Sequence, residues 1–482
     1  MKYRLLLIFF LLLTALWLPQ KAAASDIKQF IKELDASTDI PTICVYTKNN
    51  AEVVSREDYV ECTVYTLNCD SKYVLNGKKA GIRVRGNSTA FEGNVDLIRK
   101  NQVPYRIKFE KKQMMFGLNS DAKCKSWVLL KGDYDLLKND LAFRFGRSFL
   151  RNGNYCSDGI PVHLYLNGKF IGIYELCEQS QVNKNRINIK EPSEGYTGTD
   201  IGYLVELDNH GEQPRFTVNY AGNASVTDAN GVTRSLESAF YSIKSDVYSD
   251  KQVDFIGKYI NNCFKIVYQA CENGKYYVFD KNYDLVKAKK KQRTGTDSDG
   301  NKLTAAEVVI GKAMDLDSFV DLFLVYELTM SRDVGEGSFY MCVDFSENST
   351  INKLTFTCPW DFEWSMMGDT TGSYAKVFNS ASFAKTFGDR SNPWYVVLIK
   401  QDWFLNKVKE RWTGLRTAAS GSKTSVIDNV LSEEEDLIKK YKTDLSKKSD
   451  LDEPGINHYS SAQSLINWVE KRLVRMDSEY LK

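Results

Sequence analysis

Gly81-Ile-Arg-Val-Arg-Gly-Asn-Ser-Thr89 and Pro104-Tyr-Arg-Ile-Lys-Phe109 set the reading of the first half of this chain. In both runs apolar and cationic residues alternate, the two-residue period of a strand with one buried face. Arg83 and Arg85 share one side of the first strand, and Arg106 and Lys108 one side of the next. Between the strands, the Gly86-Asn87-Ser88-Thr89 turn can present backbone N–H groups to an anion. The cations suit a polyanionic ligand, and they equally suit the solvated face of a sheet.

The same signal extends to either side. Ile43-Cys-Val-Tyr46, Cys62-Thr-Val-Tyr-Thr-Leu67 and Ser126-Trp-Val-Leu-Leu130 read as strands. Leu136, Leu137, Leu141, Phe145 and Phe149 fall at helical spacing and predict an amphipathic helix over 135–150. Val162–Leu166, Asn167-Gly168 and Phe170–Tyr174 spell a hairpin on an Asn-Gly turn. Gly202–Leu207 is a further strand, followed by a polar, turn-rich stretch at 209–235. From about residue 250 the period changes to that of a helix, with Phe255, Tyr259, Cys263, Ile266 and Val267 on one face. Helical patterns recur at 315–330, 395–415 and 424–445. They end with Leu465, Val469, Leu473 and Met476, where Ser460 and Gln463 suggest a capping box. Residues 275–305 interrupt as a hairpin or loop bearing Lys287, Lys289, Lys290, Lys291 and Arg293, most simply a solvated insertion. Its Asp297-Ser-Asp-Gly-Asn301 run is not a calcium loop, because Lys302 and Val308 stand where Gly and Glu are required. The expectation is an α+β chain in two lobes. Residues 25–180 would form a strand-rich N-terminal lobe with one embedded helix, and 181–482 a mainly helical C-terminal lobe with insertions near 209–235 and 275–305.

Lys2 and Arg4, the apolar run Leu5–Leu18 and Ala22-Ala23-Ala24 have the layout of a cleavable export signal over 1–24. The run is short of the roughly 20 residues of a spanning helix, and the mature chain is expected to start near Ser25, outside the cytoplasm, without a transmembrane segment. With 64 Lys+Arg against 62 Asp+Glu there is no net pull toward nucleic acid or membrane. Ten cysteines in 482 residues are too few for a disulfide scaffold. Cys62 and Cys69 could pair, whereas Cys177, Cys342 and Cys358 sit in apolar runs as core thiols. Three scattered histidines (His163, His210, His458) disfavour zinc chemistry. No G-x-S-x-G, Walker A or Rossmann glycine pattern occurs.

Two acids fall in the stretch Leu328–Trp364. Asp333 follows an apolar helical run and opens a loop with Gly335 and Gly337. Asp361 follows the strand-like Leu354–Cys358, between Trp360 and Phe362. Phosphoryl transfer uses one carboxylate on a loop to orient the acceptor hydroxyl and another at a strand end to hold Mg²⁺. A helix cap and a strand-end acid would look the same in sequence.

Taken with Phe116-Gly-Leu118, Trp127–Leu130, Leu136–Phe143, Leu164–Tyr174, Glu178-Gln179, Gly202–Asp208 and Pro359-Trp-Asp-Phe-Glu-Trp364, these segments resemble the CotH kinase family over about residues 37–370, in order. The resemblance implies a bilobal, atypical protein-kinase-like fold. It also implies ATP- and Mg²⁺-dependent transfer (Mn²⁺ as a substitute) to serine or threonine of an exported or surface protein. Asp333 would be the catalytic-loop acid and Asp361 the metal-binding acid. Arg83, Arg85, Asn87, Ser88 and Lys108 would hold the phosphates, and Glu178 would fall near adenine. Glu363 stands where the family commonly has Asp, and Ser338 where ordinary kinases carry a second metal-binding Asn. Asp135 and Asp140 are the acids available to Lys108 on the predicted helix. Altered positions around Asp333 keep open an inactive, kinase-shaped surface module that binds a protein or glycan. A metal-dependent hydrolase using the same two acids is a third reading.

Overall fold

The computed structural model describes residues 27–34, 38–132, 137–208, 210–227, 231, 233–368, 370, 392–452 and 457–481. The expected export signal and Asp135 lie outside these. The chain divides into two compact units, each discontinuous in sequence. The first comprises residues 1–136, 160–177 and 438–459, the second 137–159, 178–437 and 460–482.

In the first unit seven strands close on themselves: β1 Thr42–Thr47, β2 Val60–Leu67, β3 Lys78–Val84, β4 Tyr105–Gln113, β5 Cys124–Lys131, β6 Gly159–Leu166 and β7 Lys169–Glu178. The order around the barrel is β1-β2-β3-β4-β5-β7-β6, closed by the parallel β1–β6 pair. Val45, Val64, Ile82, Ile107, Trp127, Leu129, Val162, Leu164 and Leu176 fill its core. Their period-two spacing explains why the polar residues between them face outward. Asn167 and Gly168, both at positive φ (51° and 82°), make the turn between β6 and β7, the backbone that an Asn-Gly hairpin requires.

The second unit contains a sheet of its own. Strands β8 Gly202–Leu207, β9 Arg215–Val218, β12 Ala239–Ile243, β15 Phe339–Asp344 and β16 Thr355–Thr357 lie in the order β16-β15-β8-β12-β9. Two small hairpins, β10 Ser225–Thr227 with β11 Thr233–Ser235 and β13 Tyr277–Phe279 with β14 Leu285–Lys287, complete the strands. Long helices accompany the sheet. Asp250–Asn273 begins with a Ser249/Gln252 capping box and ends at the left-handed Gly274. Leu316–Thr329 is capped by Asp315, which accepts from the Asp317 and Ser318 amides. Phe319, Phe339, Phe356, Trp394 and Tyr395 interlock between sheet and helices, with Phe319 and Phe356 ring centres 4.6 Å apart.

These findings correct the expected bilobal kinase-like fold. The strands of the first half close into a barrel, and the second unit is built around a five-stranded sheet. Closure was not legible because β1 meets β6 across more than a hundred residues, and no local pattern encodes that pairing. The 209–235 stretch supplies β9, an edge strand too short to show alternation. Two local expectations also change. The last helix starts at His458, so Ser460 lies inside it, its carbonyl accepting from the Ser464 hydroxyl. Cys62 is a buried free thiol, so no Cys62–Cys69 bridge forms.

Candidate active site

The Leu316–Thr329 helix ends at Met330 in the left-handed conformation, which turns the chain into the loop that carries Asp333. Asp333 opens a single 3-10 turn, its carbonyl accepting from the amides of Glu336 and Gly337 at 2.7 and 2.8 Å. Asn392 ties the loop from outside, donating to the Val334 carbonyl at 2.8 Å. Behind it, the buried Arg472 donates to both the carbonyl and carboxylate of Glu327. The acid is thus presented on a turn whose carbonyls are already committed.

Asp361 leaves the end of β16 with φ +60°, a region that non-glycine residues adopt at a cost and that clusters at functional sites. The Ser338 hydroxyl, just before β15, donates to its Oδ2 at 3.3 Å. Burial, then the Asp361 charge, then Glu336 push the Asp333 carboxyl up to about 8. Two carboxylates that repel each other in a partly dry site favour whatever neutralises one of them, a proton or a cation. Among the described residues no three His, Cys, Asp or Glu side chains gather as a metal cage. Mg²⁺ does not need one, because it is commonly held by one or two carboxylates with phosphate oxygens and water.

One residue beyond the last β8–β15 pair, Leu207↔Phe339, stand Asp208 and Ser338. Asp208 and Glu206 share Lys244 at 3.3 and 2.9 Å. Burial raises Glu206 to about 7 in spite of that ammonium. For Asp208 burial is outweighed by Lys244 and Ser242, and its carboxyl stays below the usual range. Sequence reasoning read Gly202–Leu207 as a strand and used Gly202–Asp208 only as part of the family resemblance. The signal it passed over is the pair of acids two residues apart closing an apolar strand.

The structure therefore brings Asp333, Ser338, Asp361 and Glu363 into the second unit, with the Glu363 carbonyl accepting from Lys138 at 3.3 Å. Glu178 is there too, but fully buried, its Oε1 accepting from Arg186 Nε at 2.9 Å. Asp140 is likewise committed, to Arg144 of its own helix at 2.7 Å.

The cationic residues form a separate set in the first unit. Arg83 on β3 faces Arg106 on β4, and Lys108 faces Gly81 and Ser126. Like charges directly opposite on paired strands repel, and a bound anion relieves them. Arg83 also donates to the carbonyls of Arg56 and Val84 and lies over the Tyr59 ring, 5.3 Å from its centre. Asn87 accepts from Arg56 through its side chain and from the Ala90 and Glu92 amides through its carbonyl. Ser88 begins the following 3-10 turn, and Lys108 is exposed.

A family model described as CotH kinase protein matches residues 82–476. The chain belongs to the CotH kinase family. No curated protein matches it. Every candidate residue, from Arg83 to Glu363, lies inside the span that the family covers. No helix among the described residues is long and apolar enough to cross a membrane.

Proposed function

We propose that this member of the CotH kinase family transfers the γ-phosphoryl of ATP, with Mg²⁺ or Mn²⁺, to serine or threonine hydroxyls of a protein. The observation that carries the reading is the buried Asp333 carboxyl, raised by burial and by the charge of Asp361 in the same unit, in a chain from this family. Bound metal and ATP supply the charge neutralisation and the transferable group. Asp333 orients the acceptor hydroxyl and takes its proton, for which a carboxyl raised toward neutrality is suited. Asp361 would hold the metal, with the Ser338 hydroxyl aligning its carboxylate; Glu363, two residues on, is the further metal ligand that the family resemblance assigns. Arg83, Arg85, Lys108 and the Asn87-Ser88 turn, which the family resemblance assigns to phosphate, lie in the first unit. The basic start, apolar run and small residues of 1–24 support an exported protein, with an exported or surface substrate.

The test is incubation of residues 25–482 with labelled ATP and a Ser-rich protein, with and without Mg²⁺ or Mn²⁺. Metal-dependent incorporation lost in Asp333→Ala and Asp361→Ala supports the reading. Absence of transfer by the unmodified chain, with no ATP-dependent thermal shift, overturns it in favour of a binding module.

A further inference from the structure

We infer that Asn139 is a positioning residue for Asp361, acting through the backbone of the segment that follows it. The Lys138–Phe149 helix presses one stripe, Asn139, Phe143 and Gly146, against residues 359–363. The spacing of four and three residues places these side chains one above another. At Gly146 the side chains of Cys156 and Pro359 lie so close to the helix that a Cβ would stand 2.5 Å from Cys156 Sγ and 3.0 Å from Pro359 Cγ. Phe143 stacks on Trp360 at 5.4 Å between ring centres and meets Phe362 edge-on at 6.1 Å. Asn139, only 4% exposed, accepts the Phe362 amide on its Oδ1 at 3.2 Å. Lys138 donates to the next carbonyl, that of Glu363, at 3.3 Å.

The two rings on either side of Asp361 are thus clamped, and the first amide after it is held by a buried side chain. Asp361 itself is at φ +60°. Such a conformation persists only where surrounding contacts over-determine it. Asn139 supplies a buried side-chain acceptor for an amide of this turn, and its place in the first turn of its helix fixes where that amide lies. Without it the buried Phe362 N–H loses its partner, and Asp361 is free to relax toward ordinary φ, turning its carboxylate.

The consequence for metal binding rests on the kinase reading; the clamp does not, and two readouts separate them. In the full mature chain without metal, hydrogen exchange of the peptide spanning 358–366 should quicken by roughly fivefold or more in Asn139→Ala, as expected for a lost buried hydrogen bond. Asn139→Asp, which keeps an oxygen at the same place, should restore protection. Unchanged exchange in Asn139→Ala overturns the inference. If that variant does not fold, failure of a folded Asn139→Asp to protect the peptide overturns it instead. In the second readout, Mn²⁺ binding followed by EPR with a non-hydrolysable ATP analogue should weaken roughly tenfold or more in Asn139→Ala, the scale of an outer-shell loss. Equal Mn²⁺ affinity in both proteins removes the link to Asp361. A wild-type chain that binds no Mn²⁺ while its exchange responds as expected refutes the kinase reading and leaves the clamp standing.

Discussion

Glu178 and Arg186 meet at 2.9 Å with neither side chain reaching solvent. The carboxylate expected near adenine therefore has a structural charge to balance. Removing one partner of a buried pair leaves the other uncompensated, at a cost of about 3–5 kcal/mol. Glu178→Ala should lower the urea midpoint accordingly, while the KM for ATP stays within about twofold in conditions where the variant remains folded. A large rise in that KM with little loss of stability would return Glu178 to the nucleotide site.

Asp333 and Asp361 should separate by what they lose. Asp361→Asn removes the metal-binding charge, so nucleotide-dependent Mn²⁺ binding and transfer should vanish together. Asp333→Asn keeps the metal acid and removes only a neighbouring charge, so Mn²⁺ should still bind, weakened by several-fold at most. Its turnover should fall by roughly 10²–10⁴, the range for a lost general base. Calorimetry alongside a transfer assay distinguishes the two, and loss of metal binding in Asp333→Asn would reverse the assignment.

The raised Asp333 carboxyl also makes a stability prediction. Between its ordinary 3.8 and about 8, the folded protein holds a proton that the unfolded chain has released. Stability therefore falls as pH rises through that window; the contribution is complete below it and lost above it. Denaturation midpoints across the window should decline more steeply for the wild type than for Asp333→Asn. Parallel profiles would show that Asp333 titrates normally.

Much of this was legible in sequence, for local reasons. Ile82 and Val84 against Arg83, or Ile107 against Arg106, announce their strands because burial alternates with every residue. Asn167-Gly168 announces its turn because few other pairs accept its backbone. The closing pair β1–β6 and the central place of β8 between β15 and β12 depend on contacts between distant segments, so neither could be read. Asp333 and Asp361 stood out because acids at the ends of apolar runs are conspicuous. Asn139 did not: an amide in the first turn of a helix looks like any other polar residue until the segment it holds is folded against it.

Ser338 offers the sharpest local test of that site. Its φ is +54°, its carbonyl accepts from the Tyr326 hydroxyl at 3.3 Å, and its own hydroxyl reaches Asp361 at the same distance. A hydroxyl–carboxylate bond of that length is weak, so the hydroxyl steers Asp361 more than it stabilises it. Ser338→Ala should fold normally and weaken Mn²⁺ binding a few-fold. Ser338→Val, forcing a β-branched residue into a left-handed backbone, should cost about 1–3 kcal/mol of stability. Asn tolerates that backbone well and carries a side-chain oxygen for a cation, so Ser338→Asn should keep the stability and tighten metal binding relative to Ser338→Ala. Equal Mn²⁺ affinity in Ser338→Ala and wild type, with weaker binding in Ser338→Asn, would mean that this position faces away from the metal and that Asp361 is aligned by its backbone alone.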